Sequence, residues 1–275
     1  MKKGLLISFF LVFATVYFAC GEVKKVNNAF KAGERLSYIA TYKIGFVNVD
    51  VATVTIKTTD DMVGLERAYL VHAVGKINPD YEWFFKMRDE YKVWLNKETL
   101  RPMLFKNNIL EGDYRYYSTY QYDWKNMKVH TTERKLSWDQ DKQRFYNITS
   151  ESFDALSLFF NLRTQDIASM RVGSVDTLKV VFANRIRSVA FTYMGKEEKR
   201  IQGLGKVKTV KFVCQLANDS GVSFKDGSSF TIWLSDDKNL IPLYVDTPIR
   251  VGSVRVRLYD MSGLKNPTNV RLRVY

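Results

Sequence analysis

The chain has 275 residues, of which 46% are hydrophobic and 14% aromatic, and it carries a formal charge of +13. This composition excludes a disordered chain and allows a core that needs no disulfides, and only two cysteines are present. The charge indicates an anionic neighbour such as lipid head groups or acidic polysaccharide, although a solvated basic surface without a specific ligand is an alternative.

The N-terminus predicts an export signal over residues 1–21. A lysine pair precedes an apolar stretch, residues 5–19, which is shorter than the ~20 residues of a membrane-spanning helix. Cleavage before Cys20 would give a lipoprotein acylated on that cysteine, whereas the small residues Ala19 and Gly21 also fit ordinary cleavage after Gly21. We therefore expect an exported protein of the periplasm or outer membrane of a Gram-negative-type bacterium, which does not meet nucleic acid.

Alternation of apolar and polar residues with a period of two predicts β-strands through most of the chain. Residues 35–44 and 49–58 form the first predicted hairpin. Further strands are predicted at residues 68–77, 82–95, 100–108, 114–124, 127–136, 226–235, 241–247, 253–261 and 269–275. Turns rich in Gly, Asn and Asp join them, which is typical of an antiparallel sheet, sandwich or barrel.

One amphipathic helix is predicted near the middle of the chain, over about residues 150–165. Apolar residues such as Phe153 and Leu156 recur there at helical spacing. Thr149 or Ser150 is expected to cap its N-terminus. The apolar face of this helix is expected to pack on the sheet.

Two segments of the chain are near copies of each other, VWLNKETLRP (93–102) and IWLSDDKNLIP (232–242). Both contain an apolar residue, Trp, Leu, a polar turn, Leu and Pro, and neither repeats a reactive side chain, so they predict one hairpin built twice. We expect residues 22–275 to form a single all-β domain of two similar halves, about 33–136 and 173–275, linked by the helix. The predicted fold is mainly β, a large antiparallel rolled sheet or half-barrel.

The sequence contains no recognisable catalytic constellation. His72 and His130 each stand alone in a strand, and Cys214 lies in an apolar run that predicts burial. The carboxylate doublets at 89–90 and 236–237 point to opposite strand faces and cannot act as a pair. We predict a non-enzymatic protein with no catalytic residues, no metal site and no cofactor.

Arginine alternates with aliphatic residues near the C-terminus, which predicts strands with one basic face. Arg255 and Arg257 share one face of the first such strand, and Arg271 and Arg273 repeat the pattern. If the last two strands are neighbours, these four guanidinium groups would form an anion-binding face. The alternative is that they are charged residues that prevent aggregation at a sheet edge.

A stripe of tyrosines follows one face of residues 113–124. Its members are Tyr114, Tyr116, Tyr120 and Tyr122. The stripe could line a groove that binds sugar or lipid, or it could pack beneath the helix.

Scattered features resemble a known family. The first motif, near residue 30, consists of Phe30, Gly33-Glu34 and Leu36-x-Tyr38. The later motifs are LNKETLRPMLF, SFDALSLFFNLR and IWLSDDKNLIPLYVDTPIRVGSVRVRL. In these features it resembles the domain-of-unknown-function family 3108 of exported bacterial proteins. The resemblance implies an envelope location and a large antiparallel β architecture, and it supplies no catalytic residues.

Two functional hypotheses follow. The first is a non-enzymatic envelope protein that binds or carries a lipid or anionic glycan in a β half-barrel, close to the membrane surface. The second is a structural or interaction module of an outer-membrane or capsule-related complex. An apolar cavity would favour the first hypothesis, and a filled barrel with exposed aromatic patches would favour the second.

Overall fold

The computed structural model describes residues 24–216, 229–249 and 251–272. The predicted signal segment with Cys20, and also Arg273, lie outside these ranges. The described residues form one helix, α1 (Ala155–Leu162), two 3₁₀ turns at Pro79–Tyr81 and Ile167–Ser169, and fifteen strands. The strands are β1 (Arg35–Ile44), β2 (Val47–Val63), β3 (Glu66–Ile77), β4 (Met87–Asn96), β5 (Pro102–Glu111), β6 (Tyr114–Asp123), β7 (Lys128–Lys135), β8 (Lys142–Asn147), β9 (Ser152–Phe153), β10 (Val175–Phe182), β11 (Arg185–Ile201), β12 (Gly205–Leu216), β13 (Ser229–Ser235), β14 (Pro242–Pro248) and β15 (Ser253–Ser262).

All of these strands belong to one sheet, in the order β8-β7-β6-β5-β4-β3-β2-β1-β15-β14-β13-β12-β11-β10-β9. Neighbours are antiparallel, apart from a two-residue parallel pairing between β9 and β10. Strand β1 pairs with both β2 and β15, so it joins the run β1–β8 to the run β10–β15. The predicted mainly β, antiparallel fold is confirmed.

The sheet rolls until strands near its two ends meet. The Thr131 hydroxyl of β7 donates a hydrogen bond of 2.9 Å to the carbonyl of Ala183, which follows β10. Val71 and Phe105 of the first run share a core cluster with Val181 of the second. This curvature gives the half-barrel that the sequence predicted.

Helix α1 packs between the two runs of strands. Phe160 meets Phe30 edge to face, with ring centroids 4.8 Å apart, in the cluster formed with the first run. Leu158 and Leu162 pack with Phe212 in the cluster of the second run. The interior of the rolled sheet is therefore largely filled by side chains. In the part of the chain that the structure describes, no helix is both long enough and apolar enough to cross a membrane.

The helix is shorter than the predicted range 150–165, and neither Thr149 nor Ser150 caps it. Asp154 is the N-cap, and it forms a capping box with Ser157. The start was mispredicted because the preceding residues pair with β10 as strand β9, which keeps the backbone extended up to the cap.

The two near-copied segments form equivalent turns. The register shifts at Trp94 in the hairpin β4–β5 and at Trp233 in the hairpin β13–β14. Leu100 and Leu240 each adopt a positive φ, 57° and 44°, two residues before the proline that begins the returning strand. The same backbone path is therefore used twice.

The similarity extends to the strands beside these hairpins. The Trp94 indole donates to the Asp61 carboxylate (2.8 Å), and the Trp233 indole donates to the Glu197 carboxylate (2.5 Å). Asp61 lies in β2 and Glu197 in β11, in each case two strands away along the sheet. Both of these strands have 17 residues.

Two strand predictions fail: the strand predicted at residues 82–95 is wrong in part, and no strand is formed in the described part of residues 269–275. Of the predicted strand 82–95, only the second half is strand, because Asn78 accepts the backbone N–H of Asp80 and starts a 3₁₀ turn. The predicted strand 269–275 is not formed as far as the structure describes it. There the Asn239 side chain bonds to the backbone of Asn266, which ties this segment to the β13–β14 turn in place of a strand partner.

Candidate functional site

Basic side chains lie directly opposite one another across five neighbouring strands. From β1 to β5, the register places in one row Arg35, Lys57, His72, Lys92 and Lys106. We name this row the basic ladder. Like charges that face each other across strands destabilise a sheet, so stability alone does not favour this arrangement.

A cavity of about 440 Å³ lies against the ladder. All of its charged lining side chains are basic, and two threonines add hydroxyl groups. The cavity, named the basic groove, is lined by Arg35, Thr53, Thr55, Lys57, His72, Val74, Lys76 and Arg88. Ammonium, guanidinium and hydroxyl groups all donate hydrogen bonds to anionic oxygens, so the groove has the chemistry of an anion site.

Carboxylates neutralise only part of this surface. The Glu90 carboxylate lies 3.0 Å from the Lys92 ammonium and 2.6 Å from the His72 ring nitrogen, and these partners hold the pKa of Glu90 below its ordinary value. Arg35 lies 3.5 Å from Asp260 in an exposed pair.

Three groove cations have no such partner. Within the described ranges, no carboxylate lies within ion-pair distance of Lys57, Lys76 or Arg88. The register places Lys76 directly opposite Arg88, so two of these charges face each other. The groove therefore carries positive charge that the protein itself does not balance.

The predicted arginines of β15 line a second cavity, of about 270 Å³, together with Lys199 and Tyr244. Each of them is paired: Arg255 lies 3.2 Å from Asp246, and Arg257 lies 2.7 Å from Asp50. This pairing makes them weaker anion ligands than the unpaired cations of the basic groove.

The two cavities lie on the same face of the sheet. Ile39 of β1 is opposite Arg257 on one side and opposite Thr53 on the other. Thr53 is in turn opposite Lys76. Because side chains of directly paired residues point to the same side of a sheet, Arg257 extends the basic face of the groove.

Arg271 does not join Arg255 and Arg257 through a neighbouring strand of the sheet. Both edges of β15 are already paired, with β1 and β14, so no further strand can lie beside it. Arg271 is exposed in the segment that packs on the β13–β14 turn, and Arg273 lies outside the described residues. Among the described residues, the predicted cluster is therefore corrected to the pair Arg255 and Arg257.

The tyrosine stripe of β6 contributes mainly to packing. Tyr120 is buried and stacks on Phe105 with ring centroids 4.7 Å apart. Tyr116 and Tyr122 are half-buried against the same core cluster, which includes α1. Tyr114 is the exposed member of the stripe.

A cavity of about 270 Å³ lies inside the sheet, between α1 and strands β10 to β12. Its apolar wall includes Leu162, Leu178, Phe191 and Phe212, and Glu151 is among its polar residues. This volume is just below the ~300–1,000 Å³ of typical small-molecule sites.

The two histidines and Cys214 make packing and ion-pair contacts that are typical of structural residues. His72 pairs with Glu90, and the ring of His130 stacks on Phe145 with centroids 4.4 Å apart. Cys214 is fully buried, which raises the pKa of its thiol well above the ordinary value. Among the described residues, no group of three or more His, Cys, Asp or Glu side chains could hold a metal ion.

Asp89 is a perturbed acid on the face of β4 that carries the core residue Val93. Burial and the neighbouring carboxylate of Glu111 raise its pKa to about 6. Between its unfolded value and this folded value, the folded protein binds more protons than the unfolded chain. The contribution of Asp89 to stability is therefore present at about pH 4 and is lost as the pH rises through 6.

Replacing Asp89 with Asn should remove this loss. At about pH 7 we expect Asp89→Asn to unfold with a free energy higher by about 0.5–1 kcal/mol, a value reduced for solvent screening because the group is partly exposed. At about pH 4 the two proteins should be equally stable. Urea unfolding at both pH values measures these free energies, with the exposed Asp139→Asn as the control. If Asp89→Asn differs from the parent protein by the same free energy at both pH values, the prediction is contradicted.

An antiparallel sheet rolled around a short helix defines a β-barrel-like protein. The fold is shared with the crystal structure of a β-barrel-like protein of domain of unknown function DUF1849 from Brucella abortus, with a TM-score of 0.55. The two chains are 10% identical, and the match covers 85% of this chain and 99% of the other. The family resemblance predicted from the sequence is confirmed: the chain belongs to the family described as "Protein of unknown function (DUF3108)", whose model matches residues 37–259.

A second solved structure, the lipoprotein LppX from Mycobacterium tuberculosis, is 13% identical, with coverage of 86% of this chain and 90% of that one. Its TM-score of 0.21 is too low to support an argument. No curated protein sequence matches the chain.

Proposed function

We propose that the protein is a non-enzymatic component of the bacterial cell envelope that binds an anionic ligand in the basic groove. The ligand class is an anionic glycan or a lipid head group, which share phosphate or carboxylate oxygens. The observation that carries this proposal is the set of three unpaired cations, Lys57, Lys76 and Arg88, in one groove of about 440 Å³. A bound anion would relieve the repulsion between them.

The spacing of the ladder suits an extended ligand. Neighbouring strands lie ~4.8 Å apart, so five strands present a row of basic groups over roughly 20 Å. A linear polyanion that crosses the strands would meet one basic side chain at each step. Arg35 and Arg88 can bind phosphate or carboxylate in a bidentate manner, which lysine cannot.

The groove lies on the face of the sheet opposite the helix. His72 of β3 lies between Val71 and Ala73, which both belong to the core cluster that contains α1. Because side chains alternate along a strand, His72 points away from that cluster. The proposed site is therefore on the outer face, whereas a lipid carried inside the half-barrel would have to use the cavity of about 270 Å³ beneath α1.

Charge reversal in the groove tests the proposal. We expect Lys57→Glu with Lys76→Glu to weaken the binding of dextran sulfate about tenfold or more, because each lost contact with an anionic surface costs roughly 1 kcal/mol and 1.4 kcal/mol is a factor of ten. Isothermal titration calorimetry at low salt measures the affinity, since salt screens exposed charges.

The matched control is Lys206→Glu with Lys208→Glu, which makes the same change of charge on exposed positions of β12. If both variants lose the same affinity for dextran sulfate, the effect comes from net charge alone and the proposal is overturned. A second titration uses short-chain phosphatidylglycerol below its micelle concentration. Binding of this lipid and not of dextran sulfate would identify the ligand as a head group, and the reverse would identify it as a glycan.

A further inference from the structure

Three turns at one end of the sheet expose large apolar side chains. The β1–β2 turn carries Phe46, which is 104% exposed. The β3–β4 connection carries Trp83 and Phe84, which are 84% and 79% exposed. The β14–β15 turn exposes Ile249 and Val251. We name these five side chains the apolar rim.

The three turns are neighbours, because their strands are consecutive in the order β14-β15-β1-β2-β3-β4. The Tyr42 hydroxyl near the end of β1 donates to the carbonyl of Val251 (3.0 Å), which joins β1 to the β14–β15 turn. The Asn78 N–H donates to the carbonyl of Val51 (2.8 Å), which joins the β3–β4 connection to β2. The rim therefore runs across six strands, a width of roughly 24 Å.

We propose that the apolar rim inserts into the surface of an anionic phospholipid bilayer. Contiguous exposed apolar residues mark membrane or protein interaction sites. Phe46 protrudes from the β1–β2 turn, whereas Trp83 and Phe84 protrude from the β3–β4 connection, so a protein partner would need a shaped pocket for each turn. A bilayer accepts such side chains without shape complementarity, and Trp is favoured at its interface.

Charge complementarity supports this partner. Lys86 follows the exposed aromatic residues directly, and Lys76 and Arg88 of the basic groove lie at the same ends of β3 and β4. The exposed carboxylates Asp80 and Glu82 on the same connection offset part of this charge. Together with a formal charge of +13 for the chain, the cations beside the rim favour an anionic over a neutral surface. The rim uses residues other than the groove, so this proposal goes beyond the groove ligand.

Vesicle binding by rim variants tests the proposal. The assay uses protein that consists of residues 22–275, which include every described residue. The vesicles contain phosphatidylethanolamine and phosphatidylglycerol. We expect Phe46→Ser, Trp83→Ser and Phe84→Ser together to lower the partition coefficient about tenfold or more, since each removes a large apolar side chain from the membrane. The free energy of unfolding should be unchanged because all three side chains are exposed.

The matched control replaces apolar residues that are exposed elsewhere. Leu65, in the β2–β3 turn, is 96% exposed, and Phe145, in β8, is 70% exposed. Leu65→Ser with Phe145→Ser should leave vesicle binding unchanged. Equal loss in this variant would overturn the proposal. If the protein dimerises and the rim substitutions convert it to a monomer while vesicle binding is unchanged, the proposal is also overturned.

Fluorescence provides a second measurement. Bromine-labelled acyl chains should quench Trp83 in the bound protein, and Trp83→Phe should remove the quenched component. Binding without this quenching would overturn the proposal. The single groove variant Lys57→Glu, which lies opposite Arg35 at the other end of β2 from the rim, should retain the quenching, so failure of the groove and failure of the rim are distinguishable.

Discussion

Replacing Arg163 with methionine is expected to lower the free energy of unfolding by about 3–5 kcal/mol. Arg163 follows α1 directly and is buried with Glu34. Its two terminal nitrogens donate to the two carboxylate oxygens of Glu34, at 2.5 and 2.8 Å. Removing the guanidinium would leave that carboxylate buried without its ion-pair partner, which costs more than the pair itself contributes.

The same guanidinium joins three segments of the chain. Besides its pair with Glu34 in the N-terminal segment, it donates to the carbonyl of Asn239 in the β13–β14 turn (3.1 Å) and to that of Ala29 (3.3 Å). The rings of Phe30 and Phe160 lie 5.4 and 5.3 Å from its central carbon. Loss of Arg163 should therefore loosen the helix and both segments that pack around it.

Urea unfolding followed by circular dichroism measures this effect. The control is Arg35→Met, because Arg35 makes only a half-exposed pair with Asp260, and we expect a change of about 0.5 kcal/mol or less. Combining Arg163→Met with Glu34→Leu should restore part of the stability, since no charge is then left unpaired. A single Arg163→Met protein as stable as the parent would refute the argument.

This buried pair also explains the residues that carried the family resemblance. Glu34 belongs to the first resembling motif, Arg163 to the helix motif and Asn239 to the second hairpin motif. In the fold these three scattered positions meet around one guanidinium. The resemblance therefore reflects how the rolled sheet is closed around its helix.

The repeated hairpin could be predicted because its signals are local. In each copy the tryptophan, the polar turn and the proline lie within about ten residues, and turn type is specified mainly by such local residues. The basic ladder could not be predicted in this way. Arg35, Lys57 and Lys106 are far apart in the sequence, and only the register of five strands brings them into one row. A partial signal was available, since His72 and Lys76 fall on the same face of one strand.

The errors near the C-terminus have a related cause. The alternation around Arg271 is a genuine strand pattern, but a strand also needs a free edge to pair with, and β15 offers none. The backbone of Asn266 and Pro267 instead bonds to the side chain of Asn239, which is distant in the sequence. Local periodicity contains no information about either condition.

Replacing Gly263 with alanine is expected to cost about 3 kcal/mol or more, from a left-handed backbone and an overpacked contact together. Gly263 follows β15 and has a φ of 68°. A Cβ atom there would lie 2.0 Å from the carbonyl oxygen of Gly33, which is backbone and cannot swing aside. The alanine can therefore be accommodated only if the end of β15 moves away from the start of β1.

The chain offers a closely matched control in Gly64, which has a φ of 60° and no atom within 4 Å of the position that a Cβ would take. Gly64→Ala should cost only the ~1–2 kcal/mol of the left-handed conformation, so the difference between the two variants isolates the contact with Gly33. Equal losses of stability in urea unfolding would show that this contact is not tight.

Because Gly33 precedes Glu34, the partner of Arg163, the losses of stability in Gly263→Ala and Arg163→Met should not add. Those in Gly64→Ala and Arg163→Met should add. Such coupling would show that the junction of β1 with β15 and the buried ion pair stabilise the rolled sheet as one unit.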